Sequence, residues 1–224
     1  EVAAVAASSP EAARAGIEAI RVVFDPLPAA VTVDEALAPG APQVHPDKPG
    51  LGPNLAQSVD VRFGDVDAAM ASAHLVVRGT FEHGIVWPVC LETNAAVAAF
   101  DASRGLLEVW AGTQAPFFVR KELAQVLDMD AASIQVRTVA IGGGFGGKSQ
   151  SPEQIAIAAM LAVRTGKPVK LVLSRQEEYL AGKNDHGKTI RLATAVDSEG
   201  NILARTVEAF VDNGAYTHMG PAYV

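Results

Sequence analysis

The period of the hydrophobic positions changes several times along the chain. Residues 2–7 (VAAVAA) are a short apolar run that predicts a strand. Ser9 then offers a side-chain cap and Pro10 a preset φ at the first helical position, predicting a helix over about 10–19. Residues 20–24 (IRVVF) are rich in β-branched side chains and predict a second strand, closed by Asp25-Pro26-Leu27-Pro28. Together they predict one β-α-β unit ending near residue 33. Residues 34–54 carry Pro39, Gly40, Pro42, Pro46, Pro49, Gly50, Gly52 and Pro53. That density argues against regular structure and marks a boundary or an ordered crossing segment.

From residue 58 the pattern alters. An acidic-started helix is expected over 65–73, then strands at about 74–82, 95–100 and 106–111. Pro116 opens a helix over 116–127 whose apolar stripe is Phe117, Val119, Leu123, Val126 and Leu127. Residues 134–141 read as a strand that runs straight into a glycine loop. Ser151, Pro152 and Gln154 predict a capped helix start, and Gly166 with Lys167-Pro168 its stop. Residues 169–173, 189–196 and 202–211 read as strands, the last two joined by a hairpin turn over 197–201. There is no internal repeat or low-complexity tract. The expected fold class is mixed α/β, divided as 1–33, a linker at 34–55, and 56–224.

Composition narrows the setting. Hydrophobic residues make up 49% of 224, and the mean hydropathy is +0.20. Much of this is alanine, and no run approaches the about 20 apolar residues of a spanning helix. Partner chains covering apolar surface are the expected reason. Net charge is −7, with acids and bases interspersed. No basic stripe is available to neutralise a phosphate backbone, so nucleic acid is not expected as a partner. The single cysteine, Cys90, excludes an internal disulfide and a cysteine-ligated cluster on this chain, and fits a reducing cytoplasm. Cys90 itself is expected as a small core residue. The chain opens at Glu1 without a leader and ends at Val224 without a cap, so both ends are expected to be cuts.

The most informative stretch is Ile141-Gly142-Gly143-Gly144-Phe145-Gly146-Gly147-Lys148-Ser149. Glycine at five of the six positions 142–147 lets bare backbone approach a ligand and adopt positive φ. Successive amides can then point at an anion. The loop satisfies GxxxxGK[ST], the phosphate-loop pattern, and also GxGxxG. A phosphate loop passes directly into its helix, whereas here the helix start is expected after the lysine, at Ser151–Pro152. Its metal-binding acid would have to be Asp212, a weak match. A dinucleotide site wants an acid at the end of the next strand, which instead ends Leu173-Ser174-Arg175. A flexible turn is the remaining plain reading.

The run Gly-Gly-Gly-Phe-Gly-Gly-Lys resembles the signature loop of the molybdenum hydroxylases, the family of xanthine dehydrogenase and aldehyde oxidase. In that family a Thr-Gln pair places its Gln 31 residues before the loop Phe, and Thr113-Gln114 stands at that spacing from Phe145. Further segments resemble the family in the same order. They are Phe24-Asp25-Pro26-Leu27-Pro28, Phe63-Gly64-Asp65-Val66-Asp67, Leu91-Glu92-Thr93, Gln114-Ala115-Pro116 and Asp212-Asn213-Gly214-Ala215-Tyr216. Collinear motifs across nearly the whole chain are far more specific than one glycine loop. For the fold, the resemblance implies the end of a small hammerhead-like α/β domain followed by the first part of a molybdopterin-binding α+β domain.

The same resemblance implies a molybdenum-pterin cofactor, in its cytosine dinucleotide form if bacterial, with the metal held by the pterin and no protein ligand. Cofactor contacts would come from Gln114, Gly143, Gly144, Phe145, Gly146 and Gly147. The Phe145 amide and the Gln114 side chain would lie near the metal's oxo group, where neutral donors stabilise partial negative charge. The five histidines show no ligand spacing. Lys148 is open to two readings, a phosphate contact or a solvated cation. Glu92 is expected as a buried structural acid with backbone partners.

The implied reaction is oxidative hydroxylation of a small N-heteroaromatic or an aldehyde, with water as oxygen source. Electrons would leave through 2Fe-2S clusters and FAD on partner chains. The catalytic Glu base is expected in the remaining part of the subunit, and no acid here takes that role. Ser149, at the substrate pocket, stands where purine-oxidising members carry a glutamate, which demotes xanthine as substrate. Two other classes remain open at this point, a phosphate-loop nucleotide hydrolase and a structural chain of a complex.

Overall fold

The computed structural model describes residues 2–47, 52, 54–149, 153–217 and 220–223. In chain order the first helices are α1 (Pro10–Glu18), α2 (Val33–Leu37) and α3 (Val66–Ala71). Strands β1 (Leu75–His83), β2 (Ala95–Asp101) and β3 (Leu106–Ala111) precede α4 (Pro116–Leu127) and β4 (Ile134–Thr138). Then come α5 (Glu153–Thr165), β5 (Val169–Val172), α6 (Arg175–Ala181), β6 (Gly187–Val196) and β7 (Ile202–Asp212). The fold is mixed α/β with two sheets.

Two compact units emerge: Glu1–Phe24 with Trp87–Asn184, and Asp25–Val86 with Asp185–Val224. The first holds a four-stranded sheet in the order β4-β3-β2-β5. Strands β2 and β3 form an antiparallel pair, and β4 joins β3 in parallel after α4 crosses over. Alternate residues of β2 and β3 (Ala96, Ala98, Leu107, Val109, Ala111) face Val119 and Leu123 of α4 and Ile155, Ala158, Ala159 and Ala162 of α5. The alanines matter because small side chains on both partners allow helix and sheet to approach closely. The larger core side chains, Leu107, Leu123, Ile134 and Ile155, are fully buried, and each contributes roughly 1.5–3 kcal/mol through removal from water.

The second unit is a three-stranded antiparallel sheet, β1-β6-β7. Its hairpin turn is fixed by Asp197, whose carboxylate accepts from Glu199 N, Asn201 N (both 2.9 Å) and Asn201 Nδ2 (2.8 Å). Asn54 pins the Pro/Gly-rich stretch. Its Nδ2 donates to Ala36 O and Pro42 O at 3.0 Å each, and its Oδ1 accepts from Val44 N at 3.1 Å.

Several expectations need correction. Neither 2–7 nor 20–24 is a strand, although α1 forms behind its Ser9 cap as expected. A strand is stable only with a ladder partner, and neither run has one among the described residues. The Pro/Gly-rich stretch is not free of regular structure. Thr32 and Glu35 build a reciprocal capping box, and one helical turn, α2, grows from it. Strand β4 stops at Thr138 rather than at 141, because its partner β3 ends at Ala111, opposite Thr138. The apolar stripe of α4 is narrower than expected: Val119 and Leu123 are buried, while Phe117 and Val126 are exposed. Ser151 and Pro152 lie outside the described residues. Gly166 does end α5, at φ +63°. Helix α6 was not expected, although Ser174 and Glu177 form a capping box at its start.

Candidate functional site

The glycine loop leaves β4 through three residues without regular structure and folds as consecutive tight turns. Gly147 N donates to Gly144 O at 2.8 Å, and Ser149 N to Gly146 O at 3.2 Å. Positive φ occurs at Gly143 (+106°), Phe145 (+49°) and Gly146 (+85°). A phenylalanine in that region carries backbone strain of order 1–3 kcal/mol. Its side chain is 78% exposed, so no apolar burial offsets the strain. Glycine is sterically required at two further points. A Cβ on Gly144 would stand 2.6 Å from Gln114 Oε1, and one on Gly147 2.6 Å from Pro88 Cγ.

Gln114 is woven into the loop. Its main-chain N–H donates to Lys148 O at 2.8 Å, and its Oε1 accepts from Gly146 N at 3.2 Å and Lys148 N at 3.3 Å. Only the oxygen of an amide can accept, so this contact fixes which way the group points. The two Nε2 hydrogens meet no acceptor among the described residues. Likewise the main-chain amides of Gly143, Gly144 and Phe145 have no acceptor there. The structure therefore brings Gln114 against the Phe145 loop and leaves neutral donors unpaired on both. Thr113 braces the same corner: its hydroxyl donates to Lys148 O at 3.3 Å and accepts from Ala115 N at 3.0 Å.

Lys148 fits neither of its two expected readings. It is 1% exposed, and its Nζ donates to Glu92 Oε2 at 2.7 Å and to Glu92 O at 3.2 Å. A solvated or phosphate-binding lysine needs a free ammonium, and this one is buried and neutralised. That also removes the cation on which the phosphate-loop reading depends. Glu92 has a backbone partner as expected, Gly142 N at 2.9 Å, but its side chain is 37% exposed rather than buried. The Lys148 ammonium, and then the Gly142 N–H, hold its carboxyl below the usual carboxylate range.

Three residues that the sequence did not single out support this arrangement. Arg175 Nη2 donates to Cys90 O at 2.5 Å and Leu91 O at 3.0 Å. Glu178 accepts from Asn94 N at 2.7 Å and Asn94 Nδ2 at 2.5 Å. The Ser174–Glu177 capping box is the available signal for the helix that carries Arg175 and Glu178. Cys90 is buried, as expected, with Sγ 3.6 Å from Gly144 O. The Ser149 hydroxyl turns back to donate to Gly146 O at 2.6 Å. Among the described residues no three His, Cys, Asp or Glu side chains converge as metal ligands, and no helix is long and apolar enough to cross a membrane.

Known proteins resemble the chain throughout. It is 33% identical over 223 residues to the nicotinate dehydrogenase large molybdopterin subunit of Eubacterium barkeri, covering 100% of this chain and 51% of that one. It is 30% identical over 205 residues to the nicotine 6-hydroxylase large subunit of Paenarthrobacter nicotinovorans, covering 92% and 24%. Among solved structures, quinoline 2-oxidoreductase from Pseudomonas putida 86 matches with TM-score 0.78 and 30% identity, over 94% of this chain and 26% of that one. Aldehyde oxidoreductase from Desulfovibrio gigas matches with TM-score 0.85 and 25% identity, over 96% and 23%. The chain thus spans about half or less of the length of these relatives. The profile of the molybdopterin cofactor-binding domain matches residues 45–224. The chain belongs to that family, the cofactor-binding domain of the molybdenum hydroxylases.

Proposed function

We propose that the glycine loop and Gln114 hold a molybdenum-pterin cofactor, in the cytosine dinucleotide form if the protein is bacterial. The protein they serve would oxidatively hydroxylate a small N-heteroaromatic or an aldehyde, with water as oxygen source. The observation that carries this reading is the set of donors that meet no acceptor among the described residues: the amides of Gly143, Gly144 and Phe145 and the Nε2 of Gln114. Neutral donors of this kind stabilise a partly negative oxygen, and the turns on either side hold this backbone in place. At Gly146 an added Cβ would meet nothing within 4 Å, so bare backbone there lets a bulky group come within hydrogen-bonding range. The cofactor, when bound, supplies the two-electron oxidation. The chain's own residues orient it, donate hydrogen bonds to it, and end the loop with a neutral hydroxyl at Ser149.

A neutral Ser149 cannot give a charged contact to a purine, which favours other N-heteroaromatics and aldehydes over xanthine. The general base would be a glutamate in the remaining part of the subunit. Electrons would pass to an iron–sulfur subunit with 2Fe-2S clusters and to an FAD subunit, all in the cytoplasm. Residues 1–33 would close a small α/β domain, 34–55 cross over, and 56–224 begin the cofactor-binding domain. The test is elemental analysis of the assembled complex, together with the pterin nucleotide released on denaturation. Stoichiometric molybdenum is expected, with a cytosine dinucleotide if the protein is bacterial, and a fully assembled complex without molybdenum refutes the reading. Gln114→Ala should weaken turnover while leaving assembly intact.

A further inference from the structure

We propose that Glu92 is a positioning residue: with Gly142 and Lys148 it closes a latch behind the glycine loop that sets the direction of the unpaired amides at 143–145 and cancels the only cation in the loop. The proposal rests on the cofactor reading above for its purpose, but not for its geometry.

One residue ties both ends of the loop. Glu92 N donates to Gly142 O at 3.3 Å, and Gly142 N donates back to Glu92 Oε2 at 2.9 Å. At the other end Lys148 Nζ reaches the same Oε2 at 2.7 Å and the Glu92 carbonyl at 3.2 Å. Gly142 packs directly on Glu92, because a Cβ there would lie 2.7 Å from Glu92 Cβ. Glu92 is itself fixed from the far side, because Arg175 binds Cys90 O and Leu91 O while Glu178 binds Asn94. The loop is therefore carried, through residues 90–94, on the helix Arg175–Ala181.

Stability alone is a poor account of the pair, since burying an ammonium costs nearly what the ion pair returns. Geometry is the better account. An uncancelled Lys148 would place a positive charge behind donors that act as neutral dipoles, and a loop tied at one end only would let residues 143–145 turn.

The test uses the full chain in its assembled complex, with Glu92→Gln, Lys148→Met and the apolar double variant Glu92→Leu/Lys148→Met. Amide hydrogen exchange over 142–149 should quicken about tenfold or more in each single variant. The paramagnetic-resonance signature of the bound molybdenum should shift in every variant, including the double one after it has regained thermal stability. A pair that serves stability alone would restore the native signature in the double variant, which would overturn the proposal. Unchanged exchange in both single variants would also overturn it. A wild-type complex without molybdenum would sink the cofactor reading, and the exchange measurement would still decide whether the latch exists. If Glu92→Gln does not fold, Lys148→Met carries the same comparison, because it leaves the half-exposed Glu92 with its Gly142 contact.

Discussion

Gln114 Oε1 accepts the amide protons of Gly146 at 3.2 Å and of Lys148 at 3.3 Å, so one side-chain oxygen bridges the loop residues on either side of Gly147. The two ends of this amide do different work. The oxygen shapes the loop, while the nitrogen meets no acceptor among the described residues and is the donor that the proposed cofactor would use.

Gln114→Glu separates the two. The carboxylate keeps the acceptor for Gly146 and Lys148 but removes both Nε2 donors and adds a negative charge. Loop exchange should stay near wild type, while turnover of the assembled complex falls by about 10²–10³, the usual effect of losing one preorganised donor. Steady-state kinetics beside hydrogen exchange check it. Turnover that stays at the wild-type level would mean that the oxygen alone matters.

Gly147→Ala should destabilise the loop through space alone. The Cβ would meet the rigid Pro88 ring at 2.6 Å, with Gly144 O at 3.3 Å, so main chain must move. Overpacking of this kind costs about 1–3 kcal/mol. Chemical denaturation measures it, and a Pro88→Ala partner substitution should recover part of the loss.

Acid should loosen the loop. The carboxyl of Glu92 titrates below its ordinary value near 4.5, first through Lys148 and then through the Gly142 amide. A depressed folded value means that its stabilisation is complete above the unfolded value and lost as pH falls through the folded one. Exchange protection over 142–149 should therefore be flat from neutral pH to about 5 and decline below about 4.5. In Glu92→Gln the same decline should be absent.

Leu123→Ala tests the scaffold rather than the site. Leu123 is fully buried between α4 and the sheet, and large-to-small changes at such positions cost about 2–5 kcal/mol. A urea midpoint close to wild type would mean that the core rearranges around the gap.

Local signals are legible where local physics decides. Pro116 and the spacing of Val119 and Leu123 set α4 at its observed bounds, and the Asp197 turn and its two strands follow from composition. Residues 2–7 and 20–24 carry the same strand propensity, but pairing depends on a neighbour that propensity does not encode. The box that starts α6 is readable at Ser174 and Glu177, and Gly182 closes the helix, yet seven residues with none buried carry no apolar stripe to announce it. For the site, the 31-residue spacing of Gln114 and Phe145 points to a partnership through resemblance, and the structure places Gln114 against the loop. The partner of Lys148 is not legible, because nothing in a sequence ties a lysine to an acid 56 positions earlier.

That separation has a consequence for the order of events in biosynthesis. Glu92 and Lys148 stand 56 residues apart, and Gln114 and Lys148 stand 34 apart, so the contacts that tie the loop to Glu92 and Gln114 are long-range closures. Such closures form only once the intervening strands and helices have docked. A nascent chain thus offers its glycines as slack tether and not as a receptor. A cofactor bound as proposed would therefore need the folded chain and could not be loaded onto the nascent one.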